Sequence, residues 1–289
     1  MKYLNDMLVR DDDWLQLAIA SSKDDVEDLA AEACGLVTRY GHYDVCIASH
    51  ADAPDPSRFA RVRALLVDFY ENPPSALNAE LKARRNDHGL AECPSCGSPF
   101  IPDTLDHFMP KEDWPEFSIY PNNLIPQCRG CAPIKGRRYY CATRKTAMFL
   151  HPMYSDLLSN IGFRINVTLS DHGPDFAIGF VKLAAIDSAL ETRLSTHFEE
   201  LKIRSRIACF CHREYVRWKN KIAAKKFDVK LAFQLRVGEQ PDDAPTTGRD
   251  WRTAFFKGML RNPAIISHLE SLAPRKPAPQ IVEFGELNC

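Results

Sequence analysis

Residues 93–136 read CPSCGSPFIPDTLDHFMPKEDWPEFSIYPNNLIPQCRGCAPIKG, a stretch bracketed by two Cys-X-X-Cys turns, Cys93-Pro94-Ser95-Cys96 and Cys128-Arg129-Gly130-Cys131. Four thiolates at this spacing close a tetrahedral zinc site, which pins two short elements together and brings Asp106 and His107 beside the turn that follows Cys131. The interval between the turns has room for a strand, a loop and the entry into a helix. Gly97 supplies the freedom that a tight turn of thiolates requires. Such a site is structural in itself, so any chemistry must come from the residues it gathers.

Outward from this stretch, the chain divides into a helical N-terminal scaffold at 1–90, the zinc-bound module at 91–152, and a hairpin and helical region at 153–289. With 289 residues and 45% hydrophobic content, the chain can bury a sizeable core, which excludes disorder as its main state. Ten cysteines in a chain this long do not make a small disulfide scaffold. No charged leader with an apolar core opens the sequence, so a reducing, cytoplasmic setting is expected. The apolar runs at 148–150 and 178–183 are too short for a bilayer, and no membrane partner is expected.

The net charge of −1 hides a local imbalance. The first 50 residues hold ten acidic and four basic side chains, residues 129–145 hold six basic and no acidic ones, and residues 201–230 hold ten basic against two acidic. Local positive surface is what phosphate contact needs.

Residues 1–48 carry short amphipathic helical patterns, with Asp11, Asp12, Asp13, Asp24 and Asp25 placed to cap helix starts rather than to hold a metal. A helical stripe runs through Phe59, Val62, Leu65, Leu66 and Phe69, and Pro73-Pro74 ends it. Alternation at 162–169 and again at 176–182, around Asp171-His172-Gly173-Pro174, predicts a β-hairpin. A long helical region at 186–226 is expected to break near Cys211-His212. An exposed loop follows at 238–248, helices at 251–272 break near Asn262-Pro263, and a short strand is expected at 281–284.

The chemistry that suits an Asp-His pair held against a helix start is phosphodiester hydrolysis. His107 can take a proton from water near neutral pH, and Asp106 offers the hard oxygen that a catalytic Mg²⁺ or Mn²⁺ prefers. The stretches 93–97, 105–111, 123–131 and Lys135-Gly136, in this order, resemble the HNH endonuclease family in its zinc-stapled ββα-metal form. The flanking helices and the His151-Pro152 step resemble, more weakly, the HNH partners encoded with ATPases in bacterial Septu and retron-associated anti-phage systems. The resemblance implies an α+β fold with a ββα nuclease module embedded among helices. It also implies DNA of phage or plasmid origin as substrate, and a separate ATPase subunit as partner. Within it His107 matches the general base, Asp106 a metal ligand, and Asn123 the residue that orders the His-bearing loop. RNA cleavage is the less favoured variant.

One position departs from the pattern. The residue after the last zinc cysteine is an Asn metal ligand in the family, and here it is Ala132, which offers no oxygen. An inactivating substitution, a natural non-cleaving relative that keeps the fold for binding, or completion of the metal shell by Asn122 or His151 would each account for it. Activity is therefore expected to be impaired while the architecture survives. The alternative is a non-catalytic module that binds DNA or an ATPase.

Lys111, Lys135, Arg137, Arg138, Arg217 and Lys221 are the candidate DNA contacts, with Arg204 and Arg206 in the same basic block. Tyr139, Tyr140, Tyr215 and Trp218 are available for stacking. For the basic residues the competing reading is a solvated helix face, and for the tyrosines it is the core. Cys209 and Cys211 resemble half a metal turn with no second half.

Overall fold

Five helices precede the first cysteine turn in the computed structural model, which describes residues 1–9, 11, 13–238 and 246–274. They are α1 (Asp13–Ile19), α2 (Val26–Tyr40), α3 (Tyr43–Ala48), α4 (Arg63–Glu71) and α5 (Ser75–Asn86). Their apolar positions recur every three to four residues, so Leu29 and Leu36 of α2, Leu66 and Phe69 of α4, and Leu77 and Leu81 of α5 fall on buried stripes. The prolines at 73 and 74 separate α4 from α5, as the sequence predicts.

The central piece is an antiparallel pair, β1 (Thr104–His107) and β2 (Leu124–Gln127), with Asp106 opposite Ile125 and His107 opposite Leu124. One turn of helix, α6 (Ala132–Lys135), follows the second cysteine turn and stops at Gly136, whose φ of +51° is the left-handed exit. A two-residue pair, β3 (Tyr140–Cys141) with β4 (Thr146–Ala147), comes next. Arg84 of α5 locks the hairpin to the N-terminal helices by donating to the carbonyls of Leu124 at 3.1 Å, Pro121 at 2.8 Å and Met7 at 2.7 Å.

The predicted hairpin forms as β5 (Ile161–Ser170) and β6 (Gly173–Lys182), closed at Asp171-His172 with Gly173 at a φ of +116°. Alternation puts Phe163, Ile165 and Val167 inward while Arg164, Asn166 and Thr168 face solvent. Among the described residues five helices follow the hairpin and complete the core, the first four being α7 (Ser188–Glu200), α8 (Ile203–Ala224), α9 (Val229–Gly238) and α10 (Trp251–Leu260). The final helix is α11 (Pro263–Ser271), and Asn262 caps it through the amides of Ala264 and Ile265. The architecture is α+β, small antiparallel sheets among helices.

Two details differ from the sequence reading. The helix expected to break at Cys211-His212 runs through both, because neither residue interrupts the backbone ladder. The break lies at Leu201 and Lys202, where Lys202 adopts a φ of +52°. Helix α9 is an addition: Asp228 accepts from the amide of Leu231 at 2.8 Å and starts it. Its apolar residues fall at 229, 231, 233 and 235, a near-alternating pattern that does not announce a helix; Val229 and Phe233 are buried while Leu231 and Leu235 are exposed. The strand expected at 281–284 and most of the loop at 238–248 lie outside the described residues.

Helix α10 lies on β5 so closely that a Cβ at Gly258 would sit 2.4 Å from the carbonyl oxygen of Ile165. The obstacle is backbone, which cannot swing aside. Gly258→Ala is expected to lose about 2 kcal/mol of stability in urea titration, the usual scale of overpacking. Gly41→Ala, whose nearest neighbour would be 3.6 Å away, is expected to be neutral in the same measurement.

Candidate functional site

The first cysteine turn closes when the amide of Gly97 donates to the carbonyl of Cys93 at 2.8 Å and the amide of Cys93 donates to Ser98 at 2.9 Å. Gly97 is required twice over, by its φ of +72° and by the ring of Phe163, which a Cβ would meet at 2.5 Å. The second turn closes through Cys131 N–H to Cys128 at 2.9 Å. The four sulfurs then lie within 4.8 Å of one another, all buried. Cys93 and Cys131 are 4.0 Å apart, and Cys96 and Cys128 are 3.8 Å apart. A tetrahedron of about 2.3 Å zinc–sulfur bonds has edges of about 3.8 Å, whereas a disulfide needs about 2.05 Å. The cluster therefore fits a structural metal such as Zn²⁺. Hydrogen bonds from the other thiols, Cys131 first, hold the Cys128 thiol far below its ordinary range, toward the thiolate that a metal takes.

Arg206 on α8 completes this clasp. Its guanidinium donates to Cys131 Sγ at 3.2 Å, Cys128 Sγ at 3.5 Å and Cys96 Sγ at 3.6 Å. It lies over the ring of Trp251, 5.4 Å from the centroid, and Trp251 donates its indole N–H to the carbonyl of Cys96 at 2.7 Å. Four thiolates around a divalent metal carry two excess negative charges, and Arg206 offsets one of them. Gly130 leaves the room: a Cβ there would stand 2.5 Å from Arg206 Nη2. The sequence gives no sign of this role, because Arg206 is one of ten basic residues in its block and only the fold aims it at sulfur. The expectation that it tracks DNA is corrected accordingly.

The single turn α6 meets the Asp-His end of the hairpin through its last residue. Lys135, 2% exposed, places its ammonium 3.1 Å from Asp106 Oδ2 and donates to the carbonyl oxygen of His107 at 2.8 Å. The approach to Asp106 is an ion pair rather than a well-aimed hydrogen bond, since Oδ2 makes none. Burial raises the Asp106 pKa and Lys135 opposes that rise. A cavity of about 10 Å³, bounded by Asp106, Gln127 and Lys135 among others, adjoins the pair, and Gln127 Oε1 is likewise buried without a hydrogen bond. That is space for about one water. Mg²⁺ or Mn²⁺ with several waters does not fit this donor set, where Ala132 offers no oxygen and an ammonium already faces the carboxylate.

His107 Nε2 donates to the carbonyl of Ser118 at 2.9 Å, which leaves Nδ1 as the basic nitrogen. Its ring meets Tyr70 edge-on at 4.3 Å, and burial depresses its pKa to about 3. Asn123 organises the adjoining loop: Oδ1 accepts from Met109 N at 2.7 Å and Tyr43 OH at 2.8 Å, while Nδ2 donates to Met109 at 3.0 Å and Phe117 at 3.1 Å.

Several expected site residues have other work. His151 is 2% exposed; its Nε2 meets the carbonyl of Asn122 at 3.0 Å and its Nδ1 accepts from Met153 N at 3.2 Å, so the ring is an internal strut rather than a catalytic group. Asn122 is tied to the backbone of Val9 at 2.7 and 2.8 Å. Neither is free to complete a metal shell. Lys135 is buried and makes no surface for DNA. Among the remaining cations, Lys111 pairs with Glu71 and Glu112, Arg137 with Asp113, Arg138 with Glu200 and Arg217 with Glu214. Lys221 lies over Trp218, and Arg204 donates to the carbonyl of Ile178. Tyr139, Tyr215 and Trp218 are buried, and Tyr140 OH donates to Ala51, so all four serve packing rather than stacking on bases. Cys211 is in the core while Cys209 is exposed, and among the described residues Cys93, Cys96, Cys128 and Cys131 form the only metal-ligating group.

Over 69 residues, 23% of this chain, the sequence is 48% identical to Protein ea31 of Escherichia phage lambda, and the match spans 23% of that protein. No protein-family model and no solved structure matches the chain. Among the described residues no helix is long and apolar enough to cross a membrane.

Two measurements follow from this geometry. Arg206→Met is expected to weaken zinc retention on the order of tenfold, the scale of lost outer-shell partners, read as metal transfer to a chromophoric chelator. Burial also holds His107 and His151 near a pKa of about 3 and His197 near about 4. The unfolded chain therefore binds more protons below about pH 6.5, and stability present at neutral pH is lost as pH falls from there towards about 3. Urea titrations with excess zinc at pH 7 and at about pH 5.5 should show the decline, steeper than in His151→Gln.

Proposed function

We propose that this protein is an HNH-type endonuclease module directed at DNA, a bacterial anti-phage effector working with a separate ATPase, in which hydrolysis is impaired. The observation that carries the reading is Lys135. Its reach to both Asp106 and the His107 carbonyl means that the clasp sets the helix start after Cys131 against the Asp-His end of a two-stranded hairpin. That placement supports the HNH resemblance for Asp106, while the His107 ring packs on Tyr70 of α4 and its Nε2 on Ser118.

The residues divide the work as follows. His107 keeps Nδ1 available as a proton acceptor because Nε2–H is committed to Ser118. Its depressed pKa of about 3 makes it a weak base at neutral pH. Asp106 would be the carboxylate ligand of a hydrolytic cation, but here the ammonium of Lys135 balances its charge. Asn123 holds the loop that follows His107. No step is assigned to a divalent cation, since the present donor set does not fit one.

The same observation favours a second reading, a zinc-supported module that binds DNA or the ATPase without cutting. An internal ion pair at the Asp106 position stabilises a closed, cation-free arrangement.

Cleavage of plasmid, single-stranded DNA and RNA by the wild type and Ala132→Asn, with Mn²⁺ and the genomic partner supplied, separates the two. The expected result is no cutting by the wild type and Mn²⁺-dependent nicking of DNA by Ala132→Asn. Brisk cutting by the wild type would refute the impairment. If neither cuts while both bind DNA or the ATPase, the non-catalytic module stands and the nuclease reading fails.

A further inference from the structure

A cavity of about 370 Å³ opens beside His151, between α3, α7 and the segment around β4. Its walls include Tyr139, Phe149, His151 and Tyr154, flat rings that present apolar faces. Arg193 of α7 lines it as well. Burial lowers the Arg193 pKa, its Nε is buried without a hydrogen-bond partner, and among the described residues no carboxylate pairs with it. Close by, His50 Nδ1 is also buried and unpartnered, and burial together with the charge of Arg193 depresses the His50 pKa.

The Arg193 side chain is half-buried with its Nε shielded and unpartnered, and a positive group so placed is stabilised by an anion that reaches it. Arginine presents a planar fork that suits carboxylate or phosphate. The carboxylate on the lining is Asp44, which is exposed and takes the amide of Val45 at 2.8 Å. It stands at the rim, able to accept from an N–H at the outer end of a ligand. The cavity thus offers an anion seat, aromatic walls and an acceptor at the mouth, in a volume typical of small-ligand sites.

We propose that this cavity is a binding site for a nucleoside monophosphate, its phosphate on Arg193, its base between the rings and its exocyclic amine toward Asp44. The site stands apart from the zinc clasp and does not depend on the nuclease reading. Phe108, the residue after His107, lines both this cavity and the small one at Asp106.

Titration calorimetry on the zinc-loaded full chain with adenosine and cytidine monophosphates, adenosine and inorganic phosphate tests it, alongside Arg193→Met, Arg193→Lys and the surface control Arg58→Gln. The expected result is saturable binding of at least one monophosphate, at least tenfold weaker for adenosine and for phosphate. Arg193→Met should weaken it at least tenfold, Arg193→Lys less, and Arg58→Gln not at all. Ligand-free Arg193→Met should melt no lower than wild type, because it removes a half-buried charge that no carboxylate among the described residues pairs. Three results would overturn the proposal: no monophosphate binding by the folded wild type, binding indifferent to Arg193→Met, or phosphate alone binding as tightly. A lower melting temperature for ligand-free Arg193→Met would do the same, since it would make Arg193 a structural residue.

Discussion

Four sulfurs gathered within 4.8 Å are the constraint on which the central module depends. Deprotonated thiols at such distances repel one another, so a metal among them would stabilise the joint. Its ties reach well beyond the two turns. Arg206 links it to α8, Trp251 to α10 and Gly97 to β5, through contacts more than sixty residues away in sequence. The hairpin β1–β2 is only four residues on each strand, too little to persist alone. Its stability is borrowed from the clasp on one side and from Arg84 and Asn123 on the other.

The pairing of Asp106 with Lys135 is a matter of electrostatics. A buried carboxylate needs a positive partner or it takes up a proton. A hydrated divalent ion satisfies it only if further oxygens share the load, and the side chain of Ala132 offers none. A tethered ammonium needs no second ligand, loses little entropy because its helix is already fixed, and gains the His107 carbonyl as well. Once Lys135 is seated, the remaining space of about 10 Å³ is too small for the waters a magnesium ion keeps. A side chain without oxygen at 132 and an ammonium at Asp106 thus suit the same closed arrangement.

What could be read from the sequence follows a physical divide. Local periodicity and short-range chemistry were legible: the cysteine turns, the β5–β6 hairpin, the proline break between α4 and α5, and the Asn262 start of α11. Each depends on residues within a few positions of one another. Roles set by distant partners were not legible. Arg206 looked like any basic residue on a solvated helix, and Lys135 like a phosphate contact, because only tertiary packing decides whether a cation meets sulfur, carboxylate or water. His151 was placed near the site by its Pro152 neighbour, yet its two nitrogens serve the backbone of Asn122 and Met153. Helix α9 was hidden by near-alternating apolar residues, whose burial is decided by Trp218 and Phe256 packing on Phe233.

The cations of the basic blocks show how charge counts mislead. Residues 129–145 hold six positive side chains and no negative ones, which reads as a phosphate-binding surface. In the fold, acids from elsewhere come to meet them: Asp103 to Arg129, Asp113 to Arg137, and Glu199 and Glu200 to Arg138 and Arg144. Exposed pairs of this kind contribute little stability and exchange readily. A polyanion can displace such acids, at a cost that rises with each pair broken, and affinity for nucleic acid would then be modest and steeply salt-dependent. Charge that is neutralised across the fold discriminates against casual contact, so firm binding requires a partner or ligand that pulls several of these pairs apart together.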